Sequence, residues 1–121
     1  MQNADVRIQE RAFEFACRIV RMHRALSRDR TARRLADQLL DAGTSVGANL
    51  EEAEAAQSKP DFICKCRIAM KEARETLYWL RLLAATEIVP TKRMTPMITE
   101  ANEIVAIVTS IVKKATKSPR R

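Results

Sequence analysis

The chain has two glycines and four prolines in 121 residues, and aromatic residues make up 4% of it. Tight hairpin turns depend on residues that accept positive φ, so a sheet protein of this length would use far more glycine. One domain built of helices with short connections fits the length and composition. No apolar run approaches the roughly 20 residues that span a bilayer. The opening MQNADVRIQE has no apolar signal-peptide core. The expectation is a cytoplasmic protein with no membrane partner. Three cysteines cannot all pair within one chain, which fits a reducing compartment.

The scarcity of histidine excludes more. A di-metal carboxylate bundle takes Glu-x-x-His from each of two helices, and His23 is the single histidine. It reads as a packed or boundary residue, and Glu51, Glu52, Glu72 and Glu75 read as salt-bridging residues rather than ligands. Cys64 and Cys66 stand two apart, on nearly opposite sides of a helix, and do not form a zinc-binding Cys-x-x-Cys pair. There is no phosphate-cradling glycine loop. Cys17 and His23, six residues apart, are poorly matched as nucleophile and base. The reading is a non-enzyme with no catalytic residue, no metal and no cofactor.

What is present is helical periodicity. Ile8, Ala12, Phe15, Ile19, Met22 and Leu26 step by four and three, predicting a first helix over about 5–27, and Val6, Phe13 and Val20 widen its apolar stripe. A polar link over about 28–30 precedes a second helix over 31–57. Ser58 and Asp61 form a capping pattern with Pro60 in the first turn, opening a third helix over 59–86. Its seam is Phe62, Cys66, Ala69, Ala73, Thr76, Leu80 and Leu83, and Tyr78 and Trp79 are expected to pack. A fourth helix over 95–115 starts at Thr95 as N-cap with Pro96 after it. Its seam is Met97, Ala101, Ile104, Val108 and Ile111. Ala106 and Ile107 on its far side suggest a subunit interface. The basic tail 113–121 is expected to fray. The fold class is all-α: one domain, 1–121, an up-down antiparallel four-helix bundle.

The stretch that organises the chain is QLLDAGTSVGANLEEAEAAQ, residues 38–57, which holds both glycines. Leu35, Leu39, Ala42, Val46, Asn49, Ala53 and Ala56 continue a four-three seam through them. Gly43 and Gly47 therefore lie inside a helix, each at a cost of about 1 kcal/mol relative to alanine. With Ala36 they leave one face bare for close approach by another helix. Asn49 falls on the apolar seam, and a buried amide needs partners. Ser45 and Glu52, one turn either side, complete a polar row that fixes helix register or a subunit contact.

Charge is segregated. The formal net charge is +7, with a pI of about 9.8, which suits a polyanion partner. Through residue 34 there are nine arginines against four acids, a net +5, and no lysine. From Leu35 to Ser58 there are five acids and no base. The guanidinium fork suits phosphate. A solvated face with surface ion pairs explains the pattern equally well. The candidate nucleic-acid contacts are Arg7, Arg11, Arg18, Arg21 and Arg28, supplemented by Lys113, Lys114, Lys117, Arg120 and Arg121. Binding would be sequence-indifferent and salt-sensitive. The alternative is a protein-interaction scaffold, such as an accessory subunit for a nucleic-acid enzyme, whose arginines meet acidic protein surface.

FEFACRIV, QLLDAGTSVGANLEEAEAAQSKPDF and KEARETLYWLRLL carry a resemblance. The order Ser45-Val-x-x-Asn49-Leu-x-Glu52, Ser58-x-x-Asp61-Phe62, Lys71-Glu72-x-x-Glu75 resembles the bacterial four-helix-bundle family of rRNA intervening-sequence proteins. That family also includes the accessory protein of diversity-generating retroelements. The match runs over about residues 10–90. Asp41-Ala42 stands where similar proteins often carry Arg-Ser, and Ala53 replaces a glycine. The resemblance implies a ring-shaped homopentamer, a basic surface for nucleic acid and, in the retroelement branch, a reverse transcriptase partner. It implies no catalytic residues.

Overall fold

A computed structural model describes residues 8–26 and 28–117. Four helices follow in order: α1 (Ile8–Ala25), α2 (Arg30–Glu54), α3 (Lys59–Ala85) and α4 (Thr91–Lys117). Each packs on its neighbour in sequence, and α1 closes the bundle against α4 through a much thinner contact than the other three. This is the up-down four-helix bundle that the periodicity predicts.

Local chemistry sets the helix starts. Asp29 caps α2, its Oδ1 accepting from the backbone N–H of Thr31 at 2.7 Å and of Ala32 at 3.1 Å. Ser58 caps α3 by accepting from the Asp61 N–H at 3.2 Å, with Pro60 in the first turn. The fourth helix departs from expectation. It begins at Thr91, four residues before Thr95, and Pro96 lies inside it. The carbonyl of Pro90 accepts from Arg93 and Met94, and fully buried Met94 anchors the added turn. Pro96 removes the helical donor of the Lys92 carbonyl, and Lys92 is exposed, so the loss falls at the surface. Thr95 donates its hydroxyl to the Thr91 carbonyl and caps nothing. At the other end α4 runs through Lys117, so Lys113, Lys114 and Lys117 are helical rather than frayed.

Between α3 and α4, Glu87 sits at φ 60°. That is the left-handed conformation in which glycine usually ends a helix. It turns Ile88 and Val89 back over the bundle, where Val89 is buried.

The core follows most of the predicted seams. Ile8, Ala12, Phe15 and Ile19 of α1 are buried, as are Cys66 through Leu83 of the α3 seam and Met97 through Val108 of α4. Two expectations for α1 are corrected: Phe13 and Val20 are exposed. A stripe that broad needs partners on both flanks, and α1 has a full partner only in α2. Tyr78 is likewise exposed rather than packed, edge-on to Trp79 with ring centroids 5.1 Å apart.

The polar row on α2 does not form. Leu50 takes the buried position and Asn49 is half-buried. Burying a leucine stabilises by about 1.5–3 kcal/mol, whereas an unpartnered amide costs about 1–3 kcal/mol, so the helix rotates toward Leu50. The Asn49 amide donates to the Ser45 carbonyl at 2.9 Å, and the Ser45 hydroxyl donates to the Asp41 carbonyl at 2.7 Å. Glu52 points away, pairing with Lys65 of α3 at 2.8 Å.

The glycines do bring a helix close, and that helix is α1. A Cβ at Gly43 would stand 2.9 Å from Cγ1 of Ile19, which is fully buried and unable to swing aside. A Cβ at Gly47 would stand 3.5 Å from that of Ala12, an ordinary contact. Gly47→Ala is therefore expected to stabilise by about 0.4–1 kcal/mol, through reduced freedom of the unfolded chain. Gly43→Ala is expected to lose that gain to overpacking, which costs about 1–3 kcal/mol. Urea unfolding of both variants checks this, and equal midpoints would remove the close-approach account.

Candidate nucleic-acid interface

The up-down path brings four chain segments to one end of the bundle: the end of α1, the start of α2, the end of α3 and the start of α4. Over residues 17–37 and 78–97 they carry Arg18, Arg21, Arg24, Arg28, Arg30, Arg33, Arg34, Arg81, Lys92 and Arg93. Among the described residues of those segments the acids are Asp29, Asp37 and Glu87. Two of these are engaged: Asp29 caps α2, and Asp37 meets Nε2 of His23 at 2.6 Å. All ten basic residues are exposed except Arg18, which is half-buried.

Helix stability does not explain this placement. The N-termini of α2 and α4 point toward the same end, and neither helix has an acid in its first turn. A cation beside a helix N-terminus opposes the macrodipole, by about 0.3–1 kcal/mol where exposed. Arg30 and Arg33 at the start of α2, and Lys92 and Arg93 at the start of α4, are placed against it. Asp29 already occupies the N-terminus of α2, so an incoming anion would meet the guanidinium groups and the N-terminus of α4.

The arginines singled out from sequence divide. Arg18, Arg21 and Arg28 lie at this end. Arg11 does not serve it, because its guanidinium is committed within the bundle. Its Nε and Nη2 reach the two carboxylate oxygens of Glu100 at 3.0 and 2.7 Å, and Nη2 also reaches Glu103 at 2.6 Å. Those bonds raise its already high pKa further. Lys113, Lys114 and Lys117 are exposed at the opposite end of α4. At about 1.5 Å per residue, the 20 to 25 residues of α4 between them set these lysines about 30–37 Å from Lys92 and Arg93. Arg7, Arg120 and Arg121 lie outside the described residues. Arg81, Lys92 and Arg93 escaped the sequence reading, though an up-down path already implies that the 86–90 connection sits beside the 26–29 connection. Of the motif residues, Gly43 and Gly47 face α1, Asn49 bonds to the Ser45 carbonyl, and Glu52 turns to Lys65.

Between α2 and α3 the carboxyl of Glu72 is pushed up by burial first and then by Glu75, while Lys71 pulls it down and Asp41 adds a smaller push. Glu75 accepts from the Trp79 indole N–H at 3.2 Å. Burial also pushes the Cys66 thiol up. Cys17, Cys64 and Cys66 are free thiols. Among the described residues no group of three His, Cys, Asp or Glu side chains converges to hold a metal ion, and no helix is long and apolar enough to cross a membrane.

The sequence model of the 23S rRNA-intervening sequence proteins matches residues 4–110 of this chain. A crystal structure of a protein of unknown function, from the S23 ribosomal protein family of Bacteroides thetaiotaomicron, is 42% identical to it. That match covers 88% of this chain and 98% of the other, with a TM-score of 0.83. No curated protein sequence matches the chain.

Two outcomes follow from the charges. Arg11→Gln leaves half-buried Glu100 without its partner, and the expected loss is about 1–3 kcal/mol in chemical denaturation. An unchanged midpoint would mean that the pair is only a surface contact. Glu72 has a folded pKa above its unfolded value, so the folded state binds its proton more tightly. Stability from this group is then greatest below the unfolded value near 4.5 and falls as pH rises through the folded value. Glu72→Gln is accordingly expected to raise the Tm at pH 7 and to change it little at pH 4. A gain of equal size at both values would contradict the burial and repulsion described.

Proposed function

We propose that this chain, which belongs to the 23S rRNA-intervening sequence protein family, is a non-enzymatic, homo-oligomeric bundle that binds RNA or DNA through phosphate contacts at its basic end. The observation that carries this reading is the gathering of ten cations from all four helices at one end, where the neighbouring acids are few and mostly engaged. Backbone phosphates are the ligand such a surface suits, because arginine forks pair with phosphate oxygens without reading sequence. The aromatic side chains of those segments are two, exposed Tyr78 and half-buried Trp79, too few to stack a run of bases, which favours backbone contacts over base recognition.

Homo-oligomerisation would repeat the basic end around an axis and raise avidity without new contacts. Exposed Phe13, Val20 and Tyr78 are the large apolar side chains available for subunit contact. The assembly expected is a ring-shaped pentamer, as the family resemblance implies.

The test is fluorescence anisotropy with a short labelled RNA across a salt series, beside light-scattering mass. Arg30→Ala, Arg33→Ala and Arg34→Ala together remove three exposed cations and leave good helix formers in their place. Each lost phosphate contact flattens the dependence of log K on log salt by about 0.7 for a single strand, so the triple variant is expected to flatten it by about 2. Arg11→Gln is expected to leave RNA affinity unchanged. Undiminished binding by the triple variant would sink the proposal. RNA indifference of the unmodified protein at every salt concentration would shift the arginines to a protein partner, such as a nucleic-acid enzyme.

A further inference from the structure

The thin contact between α1 and α4 leaves a cleft of about 370 Å³ beside the α3–α4 connection. That is within the range of small-ligand pockets, about 300–1,000 Å³. Its floor is aliphatic and sulfur-containing: Met22, Leu26, Ile88, Val89 and Met97. Its rim carries Arg18, Arg21 and Arg93. No carboxylate among the described residues lies within ion-pair distance of these three. The Arg11 bonds to Glu100 and Glu103 hold α1 to α4 beyond the cleft, so the cleft is built into the fold.

The floor offers no hydrogen-bonding side chain and no aromatic ring, which makes it a poor seat for a nucleobase. It is a good seat for an aromatic side chain. Methionine sulfur and arginine planes both pack well on rings, and arginines at the rim call for carboxylates flanking that ring.

This chain presents such a group itself. Tyr78 is 55% exposed and projects from α3 on the side away from its buried seam. Glu75 stands one turn before it, and Glu75 and Asp41 both lie close to Glu72. Tyr78 lies seven residues from the end of α3, at the same end of the bundle as the cleft. We infer that the cleft is the socket for Tyr78 of a second copy, with that copy's Glu75 paired to the arginine rim. Cleft and tyrosine occupy different faces, so the contact is head-to-tail, and repetition of one such contact generates a closed ring when the rotation permits. The inference rests on the homo-oligomer reading above and supplies the contact that reading lacks.

Charge reversal tests it, with mass in solution by light scattering as the readout. Glu75→Lys alone and Arg93→Glu alone are each expected to lower the mass toward the monomer, and the two substitutions combined in one chain are expected to recover assembly, because every head-to-tail contact is then complementary again. Tyr78→Ala, at an exposed position, is expected to keep the Tm of an isolated bundle and to weaken assembly at least tenfold in concentration. Full mass in all three single variants would overturn the socket while leaving homo-oligomerisation intact. A monomeric unmodified protein at every concentration would overturn both. Loss of RNA affinity in Arg93→Glu with unchanged mass would assign the cleft to nucleic acid instead and overturn the inference.

Discussion

The close packing of α1 on α2 across Gly43 and Gly47 constrains the rest of the molecule. The missing side chains let Ile19 and Ala12 approach the α2 backbone, and α1 spends most of its apolar surface on that contact. Its far flank then has little left to offer α4. That side is held by Arg11 on Glu100 and Glu103, and the remaining gap is the cleft rimmed by arginines. Phe13 and Val20 are exposed for the same reason: a helix packed firmly on one neighbour leaves part of a wide apolar stripe in solvent.

The same residue type does opposite work at different levels of the bundle. Arg11 faces two glutamates of α4 and becomes part of the fold, with its charge compensated. Two to three turns on, Arg18 and Arg21 face the cleft together with Arg93 of α4. Their positive charge is surplus to the fold. Exposed ion pairs contribute little to stability, about 0–1 kcal/mol each, so the fold gains little from compensating the cations at that end. Between α2 and α3, by contrast, Glu72 lies close to both Glu75 and Asp41.

Helical periodicity reveals much of this architecture, because it records which side of each helix is apolar. It failed at particular residues for identifiable reasons. Asn49 and Leu50 both fit the α2 seam by spacing, and the cost of burying an amide decided for Leu50. Pro96 resembled a first-turn proline, but the backbone bonds to Pro90 and the burial of Met94 carried the helix four residues further. The lysines of the last helix and the arginines of the first looked like one basic set, and the bundle puts them at opposite ends.

The sequence by itself determined four amphipathic helices, their order, the small-residue face on α2, the cap at Ser58, and an excess of arginine near the start. These are local properties, set by spacing within a few turns. The tertiary structure alone decided which arginines are compensated and which gather into a surface. Arg11 meets Glu100 across 89 positions of chain, and Arg18, Arg21 and Arg93 meet around one cleft. The spacing of apolar residues states which face turns inward. Which charges then stand opposite one another depends on how antiparallel helices slide and pair, and that is fixed only when their side chains pack.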